Sequence, residues 1–141
     1  MNLIPQPVAA CDCSYNVIYV NEPFVKLVGR SSYEDCIGMD FGTLFQSKAD
    51  FMTFKNLLRE DKTVKNLEFR MFNTKGKEFI SSISSSRHVD GKKTHMVCII
   101  NDITKKREIE AFSQLNNTID KLVESNKYLA DSLIKIKVNN G

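Results

Sequence analysis

The sequence contains no apolar stretch approaching the roughly 20 residues that cross a bilayer as a helix. Its start, MNLIPQPVAA, lacks the basic opening and long apolar run of a signal peptide. These two absences lead to the expectation of a cytoplasmic chain with no membrane partner. There is no C-x-x-C pair either: the four cysteines stand at 11, 13, 36 and 98, and a chain of this size and apolar content needs no disulfide staples. Reduced, buried thiols are expected. Positive charge is never concentrated. The net charge of +3 is scattered, and the densest basic cluster, Lys105-Lys106-Arg107, is followed at once by Glu108 and Glu110. No basic stripe is formed, so no nucleic-acid partner is expected. No histidine occurs after His95, so the C-terminal segment has no histidine to accept a phosphoryl group.

What is present describes one globular domain plus an extended element: 141 residues, 42% hydrophobic and 26% charged, enough for one real core. VAACDC and VIYV are short apolar runs separated by Ser14-Tyr15-Asn16, which reads as a hairpin. Asn21 is placed to cap a short helix with Pro23 in its first turn and Gly29 at its end. Ser31-x-x-Glu34 is a capping-box pattern for a second helix stopping near Gly38, and Ser47 with Asp50 opens a third that carries Phe51, Phe54, Leu57 and Leu58. From Val64 the period changes to two, with Leu67, Phe69 and Met71 alternating with Glu68 and Arg70. Thr74-Lys75-Gly76 turns the chain back, FISSISSSRH ends at the hairpin signal Asp90-Gly91, and THMVCIIND forms a last strand. The expected fold class is α+β: a five-stranded antiparallel sheet with short helices on one face.

After Thr104 a heptad repeat runs toward the end. Phe112, Ile119, Asn126 and Leu133 are spaced by seven, with Leu115, Leu122, Leu129 and Ile136 interleaved. The pattern predicts a coiled-coil helix over 105–138, separate from a domain over 1–104, and a parallel homodimer whose register the seam asparagine fixes at a cost in stability. At about 1.5 Å per residue the helix would reach roughly 50 Å. Two alternatives stay open: an amphipathic helix folded back on its own sheet, and a four-helix packing. The second is suggested by flanking positions that hold Ile109, Thr118, Val123, Ser125, Ala130 and Ser132 where two-stranded coils often carry charge.

Over roughly residues 7 to 111 the chain resembles the PAS sensor domains. The resemblance is carried by Asp12 followed by Val17-Ile18-Tyr19-Val20-Asn21, then Phe24, Leu27-Val28-Gly29 and Gly38. It continues through Leu67-Glu68-Phe69-Arg70, the Lys75-Gly76 turn, and Asp102-Ile103-Thr104 with Glu110, which is similar to the family's closing D-I-T signature. No single piece is specific; their order and spacing are. The chain departs from the family at Tyr15-Asn16, where the first hairpin often has glycine. The resemblance implies a five-stranded sheet wrapped by helices around a small cavity, and a sensing or dimerising role upstream of an effector such as a histidine kinase or a diguanylate cyclase.

In such a fold the inner sheet face would carry Leu67, Phe69, Met71, Ser81, Ile83, Met96, Cys98 and Ile100, met from the helical side by Phe41, Leu44, Phe45 and Phe54. That lining suits a small apolar ligand with few polar contacts, for which Phe41, Phe54, Phe69, Met71, Ser81, Ile83, Cys98 and Ile100 are the candidate contacts and Ser81 the candidate hydrogen-bond donor. Equally, the same side chains could simply fill the core. No cofactor is identified. A flavin-cysteinyl site would need its cysteine in an N-C-R-F-L-Q stretch, where this chain has Asp40-Phe41-Gly42-Thr43-Leu44, and a haem histidine is missing from residues 47 to 62.

Cys11 and Cys13 are expected to share a strand face, and in the implied fold Cys11 and Cys98 could both face the cavity as a thiol redox pair or soft-metal site; the C-x-C spacing without histidine is not a zinc pattern, and no metal site is expected. Nor is an enzyme expected. The serines at 81, 82, 84, 85 and 86 have no histidine base and orienting carboxylate at recognisable spacing, and Ser82, Ser84 and Ser86 are expected on the outer face. The sequence therefore points to a signal-input module that dimerises and relays a ligand- or redox-driven change through its C-terminal helix. Asp102 and Thr104 would cap that helix and, with Glu110, form the relay. The rival is a ligand-free dimerisation or partner-binding scaffold.

Overall fold

One carboxylate organises the first hairpin. In the computed structural model, which describes residues 5–127, β1 (Val8–Asp12) pairs antiparallel with β2 (Val17–Val20). Asp12 Oδ1 accepts the backbone N–H groups of Ser14 and Asn16, each at 2.9 Å, so the turn satisfies its donors locally. Tyr15 holds φ +63°, the left-handed region that glycine or asparagine enters most cheaply. A register shift between Ala10 and Cys11 marks a bulge. β1 stops at Asp12, which leaves Cys13 exposed in the turn while Cys11 is buried. The expectation that Cys11 and Cys13 share a strand face is therefore corrected, because the two-residue alternation ends where the turn begins.

The helices start where side chains can take their free N–H groups. For α1 (Glu22–Val28), Asn21 Oδ1 accepts from Phe24 N–H at 3.1 Å and also from Val8 N–H at 2.9 Å, so one side chain caps the helix and ties it to β1. Gly29 ends the helix at φ +78°. α2 (Tyr33–Cys36) is capped by Ser32, whose Oγ accepts from Asp35 N–H at 3.3 Å. This corrects the expected Ser31-x-x-Glu34 box by one residue; Ser32 and Asp35 have the same spacing and win. A 3-10 turn over Phe41–Leu44 follows, capped by Asp40. α3 (Lys48–Asp61) is capped by Ser47 as expected, with Asp50 N–H donating at 3.1 Å.

The long meander comprises β3 (Thr63–Phe72), β4 (Glu78–Asp90) and β5 (Lys93–Asp102). Asp90 pairs with Lys93 across the two-residue loop Gly91-Lys92, and Gly91 supplies the positive φ, +62°, that this tight hairpin requires. The sheet order is β2-β1-β5-β4-β3, antiparallel throughout. Its inner face contributes Met71, Ile83, Met96 and Ile100 to a core closed by Phe24, Val28, Phe41, Leu44, Phe54 and Leu58. Ser82, Ser84 and Ser86 alternate with the buried Ser81, Ile83 and Ser85, as a period of two requires.

The chain divides into two units, Met1–Thr104 and Lys105–Gly141. α4 (Thr104–Ser125) is a 22-residue helix that starts directly after β5. Among the described residues, no helix is long and apolar enough to cross a membrane.

Candidate functional site

Alternation along three strands and the inward faces of α3 and the 3-10 turn bring the eight expected ligand contacts together. Phe41, Phe54, Met71, Ser81, Ile83, Cys98 and Ile100 are fully buried and Phe69 is half-buried against them. The space they enclose is occupied by rings. Phe45 stands 5.5 Å from Phe54 and 5.3 Å from Phe69 between ring centroids, and Phe41 stands 6.2 Å from Phe54. Tyr15 reaches in from the first turn, edge-on to Phe51 at 5.4 Å and Phe54 at 6.3 Å. Aromatic edge-to-face contacts of this kind add about 0.5–1.5 kcal/mol each beyond burial, enough to hold Tyr15 in its left-handed backbone. Tyr15 was not legible as a site residue; the only signal was its place where a glycine would be unstrained.

The polar groups of this interior are already partnered. Ser81 Oγ donates to the Phe69 carbonyl at 2.9 Å, so the hydroxyl expected to hold a ligand is held by β3. Ser85, which the sequence did not single out, donates to the Val97 carbonyl at 2.9 Å and lies 3.0 Å from Cys98 Sγ. Among the described residues, no buried side-chain nitrogen or oxygen lacks a hydrogen-bond partner. Three clefts open on the surface of the described residues, and none of the eight residues lines them. One such cleft, of about 510 Å³, lies between the 3-10 turn and α3, with Asp40, Gly42, Ser47, Phe51 and Lys55 in its walls. A ligand entering here would meet apolar side chains and polar groups that already have partners.

Two of the thiols, Cys11 and Cys98, are placed as neighbours in the core. Across β1 and β5, Ala9 pairs with Cys98 and Cys11 with Met96, so Cys11 and Cys98 are diagonal neighbours and both are buried and free. Burial pushes the Cys11 thiol far up, with Cys98 adding to the rise. Burial likewise pushes Cys98 up to about 12, against a smaller lowering by the Ser85 hydroxyl. The thiolate is the reactive form, and both sites disfavour it. On the outer face, Ser86 Oγ lies 2.8 Å from Nε2 of His88, whose ring stacks on His95 at 5.6 Å. The sequence spacing did not suggest this serine–histidine contact. Both partners lie on β4, and the ring of His88 is stacked on that of His95.

At the end of β5 the chain passes into α4 through Asp102-Ile103-Thr104. Asp102 Oδ1 accepts the Thr104 N–H at 2.9 Å and its hydroxyl at 2.6 Å. Thr104 Oγ1 in turn accepts the N–H of Ile80 in β4 at 2.8 Å. The expected pair of caps is therefore corrected: Asp102 serves the helix start, whereas Thr104 is the first helical residue and its side chain binds the sheet. Glu110 pairs with Arg107 within the helix at 2.5 Å.

Phe112, Leu115, Ile119 and Leu122 share one face of α4, and each is between 47% and 65% exposed, a stripe at the 3.5-residue period. Asn126 follows, its Nδ2 donating to the Leu122 carbonyl at 3.0 Å. The remaining seam residues, Leu129, Leu133 and Ile136, lie outside the described residues.

Solved structures share this fold. A PAS domain from a two-component sensor histidine kinase is 15% identical with a TM-score of 0.62, the match covering 72% of this chain and 87% of that one. A PAS domain from Colwellia psychrerythraea is 19% identical with a TM-score of 0.64, covering 72% and 89%. The LOV domain of a blue-light activated histidine kinase from Erythrobacter litoralis is 18% identical with a TM-score of 0.60, covering 72% and 98%. At such identities the likeness is one of fold. No curated protein matches the sequence significantly. The family profile of the PAS domain, however, matches residues 5–105, the span from the turn before β1 to the first residues of α4. The chain belongs to the PAS domain family.

Proposed function

We propose that this PAS domain is a non-catalytic, cytoplasmic signal-input module that forms a parallel dimer through α4 and passes a change in its core to a downstream effector, a histidine kinase or a diguanylate cyclase. The observation that carries the reading is the exposed stripe of Phe112, Leu115, Ile119 and Leu122 on a helix that leaves the last strand without a glycine. Apolar side chains at this spacing are buried by a second identical helix. A small apolar ligand would enter among the aromatic rings and shift the module between two states by its differential affinity for them. A coil transmits such a shift because its packings are discrete. A redox input at Cys11 and Cys98 is the weaker form of this reading, since both thiols are held protonated.

A second reading is favoured by the filled interior: the domain works as a ligand-free dimerisation or partner-binding scaffold, its core serving only stability. Native mass spectrometry and an absorbance spectrum of the full chain separate the two. A dimer carrying one small molecule per chain supports the sensor, and a clean dimer mass supports the scaffold. A monomer at every concentration would overturn the dimer in both, leaving only partner binding to the scaffold.

A further inference from the structure

Beside Tyr15 lies a small cleft of about 140 Å³, walled by Lys55 and Arg59 from α3, Arg87 and Thr94 from the β4–β5 hairpin, and Cys13 from the first turn. Three cations converge on it from two elements, and no carboxylate lines it. Among the described residues none of the three is ion-paired; Lys55 instead holds its ammonium 4.5 Å over the Phe51 ring and 6.0 Å from that of Tyr15. The charges of Arg59 and Arg87 both reach the Tyr15 phenol. Lys55 and Arg59 are one helical turn apart, a spacing at which like charges destabilise a helix, and Arg87 adds a third positive charge from across the cleft.

We propose that this cleft binds a small oxyanion of the phosphate class, either free or as the exposed phosphate of a small phosphomonoester. Two guanidinium forks present paired donors to an oxyanion, and the ammonium supplies a point charge beside them. The Thr94 and Tyr15 hydroxyls are further donors in the same wall. A cleft of about 140 Å³ has room for a phosphate group among these donors. Because Tyr15 also packs edge-on against Phe51 and Phe54, an anion here would be in contact with the aromatic core through one side chain. The site stands on its own residues and holds whether or not the domain signals.

The full chain is titrated with inorganic phosphate, and separately with glycerol phosphate, by isothermal calorimetry at constant ionic strength in chloride. The expected result is saturable binding of at least one of them at one per chain, weakened about tenfold or more in Arg87→Gln and in Arg59→Gln. Tighter binding of glycerol phosphate assigns the anion to a phosphorylated small molecule, and equal binding to free phosphate. Cys13, the one exposed thiol of the four, gives a second readout: its alkylation by iodoacetamide slows several-fold at saturating anion. Absence of saturable binding of both anions, variants that bind as tightly as the parent, or an alkylation rate that ignores the anion would overturn the proposal.

Discussion

Both backbone groups of Ile80 in β4 are taken by the segment that starts α4: its N–H donates to Thr104 Oγ1 at 2.8 Å, and its carbonyl accepts the Ile103 N–H at 2.8 Å. The start of the helix is thus hydrogen-bonded to the strand next to the one that leads into it. Thr104→Val keeps the shape and removes the hydroxyl, leaving the Ile80 N–H without its partner, which costs about 1–3 kcal/mol. Thr104→Ser should restore most of that. Urea unfolding of the two variants measures it. In a reconstituted signalling chain, Asp102→Ala and Thr104→Ala should lower output more than stability; equal losses would reduce the joint to a structural cap.

Gly42 is pressed against Phe51, whose ring would stand 2.4 Å from an added Cβ. That ring cannot step aside freely, being flanked by Phe45 at 5.1 Å, Tyr15 at 5.4 Å and the Lys55 ammonium. Gly42→Ala should therefore destabilise the domain by about 1–3 kcal/mol, the usual cost of overpacking. A thermal melt that matches the parent would show the ring to be mobile.

The buried thiols make stability depend on alkaline pH. An unfolded cysteine ionises from its ordinary value of 9.0, whereas folded Cys98 stays protonated up to about 12. Between those values the folded state binds the extra proton, so stability is fully present below pH 9 and falls as the pH rises, by about 1.4 kcal/mol per pH unit for each such thiol. Cys11 adds in the same direction. Unfolding free energies measured from pH 8 to 11 should fall less steeply for Cys98→Ala than for the parent, the difference in slope being one proton.

Asn126 stands at an expected seam position just past the end of α4, its Nδ2 donating to the Leu122 carbonyl. Asn126→Leu should raise the melting temperature of the coil while loosening its oligomer specificity, since a polar seam residue trades stability for register. Sedimentation equilibrium and a melt, done together, check both halves of this expectation.

The sheet, the hairpins and most caps were legible because each is written in a few adjacent residues. Asp90-Gly91, the alternation of Leu67, Phe69 and Met71, and Asn21 before α1 all act locally. The inward set from Phe41 to Ile100 followed from alternation once the strands were ordered, and that order came through the family likeness. What stayed hidden depended on partners distant in sequence. The strained Tyr15 is intelligible only with Phe51 and Phe54 behind it, Thr104 only with Ile80, and the basic cleft only once Arg87 is folded next to Lys55 and Arg59. Cys13 was misplaced because β1 stops at Asp12 and the turn begins at the next residue, a boundary that the alternation of residue types does not mark. Whether rings or a ligand fill the core is a matter of volume, which residue types do not specify.

The central claim is that α4 pairs in parallel with a second copy along its apolar stripe. Disulfide cross-linking tests it most directly, using Leu122→Cys on the apolar stripe and Lys121→Cys about 100° round the helix from it, both in a Cys13→Ser background. A parallel coil brings residue 122 of one chain beside residue 122 of the other, so mild oxidation should link Leu122→Cys rapidly into a covalent dimer and leave Lys121→Cys largely monomeric. Equal linking at the two positions, or none at 122, would contradict the account.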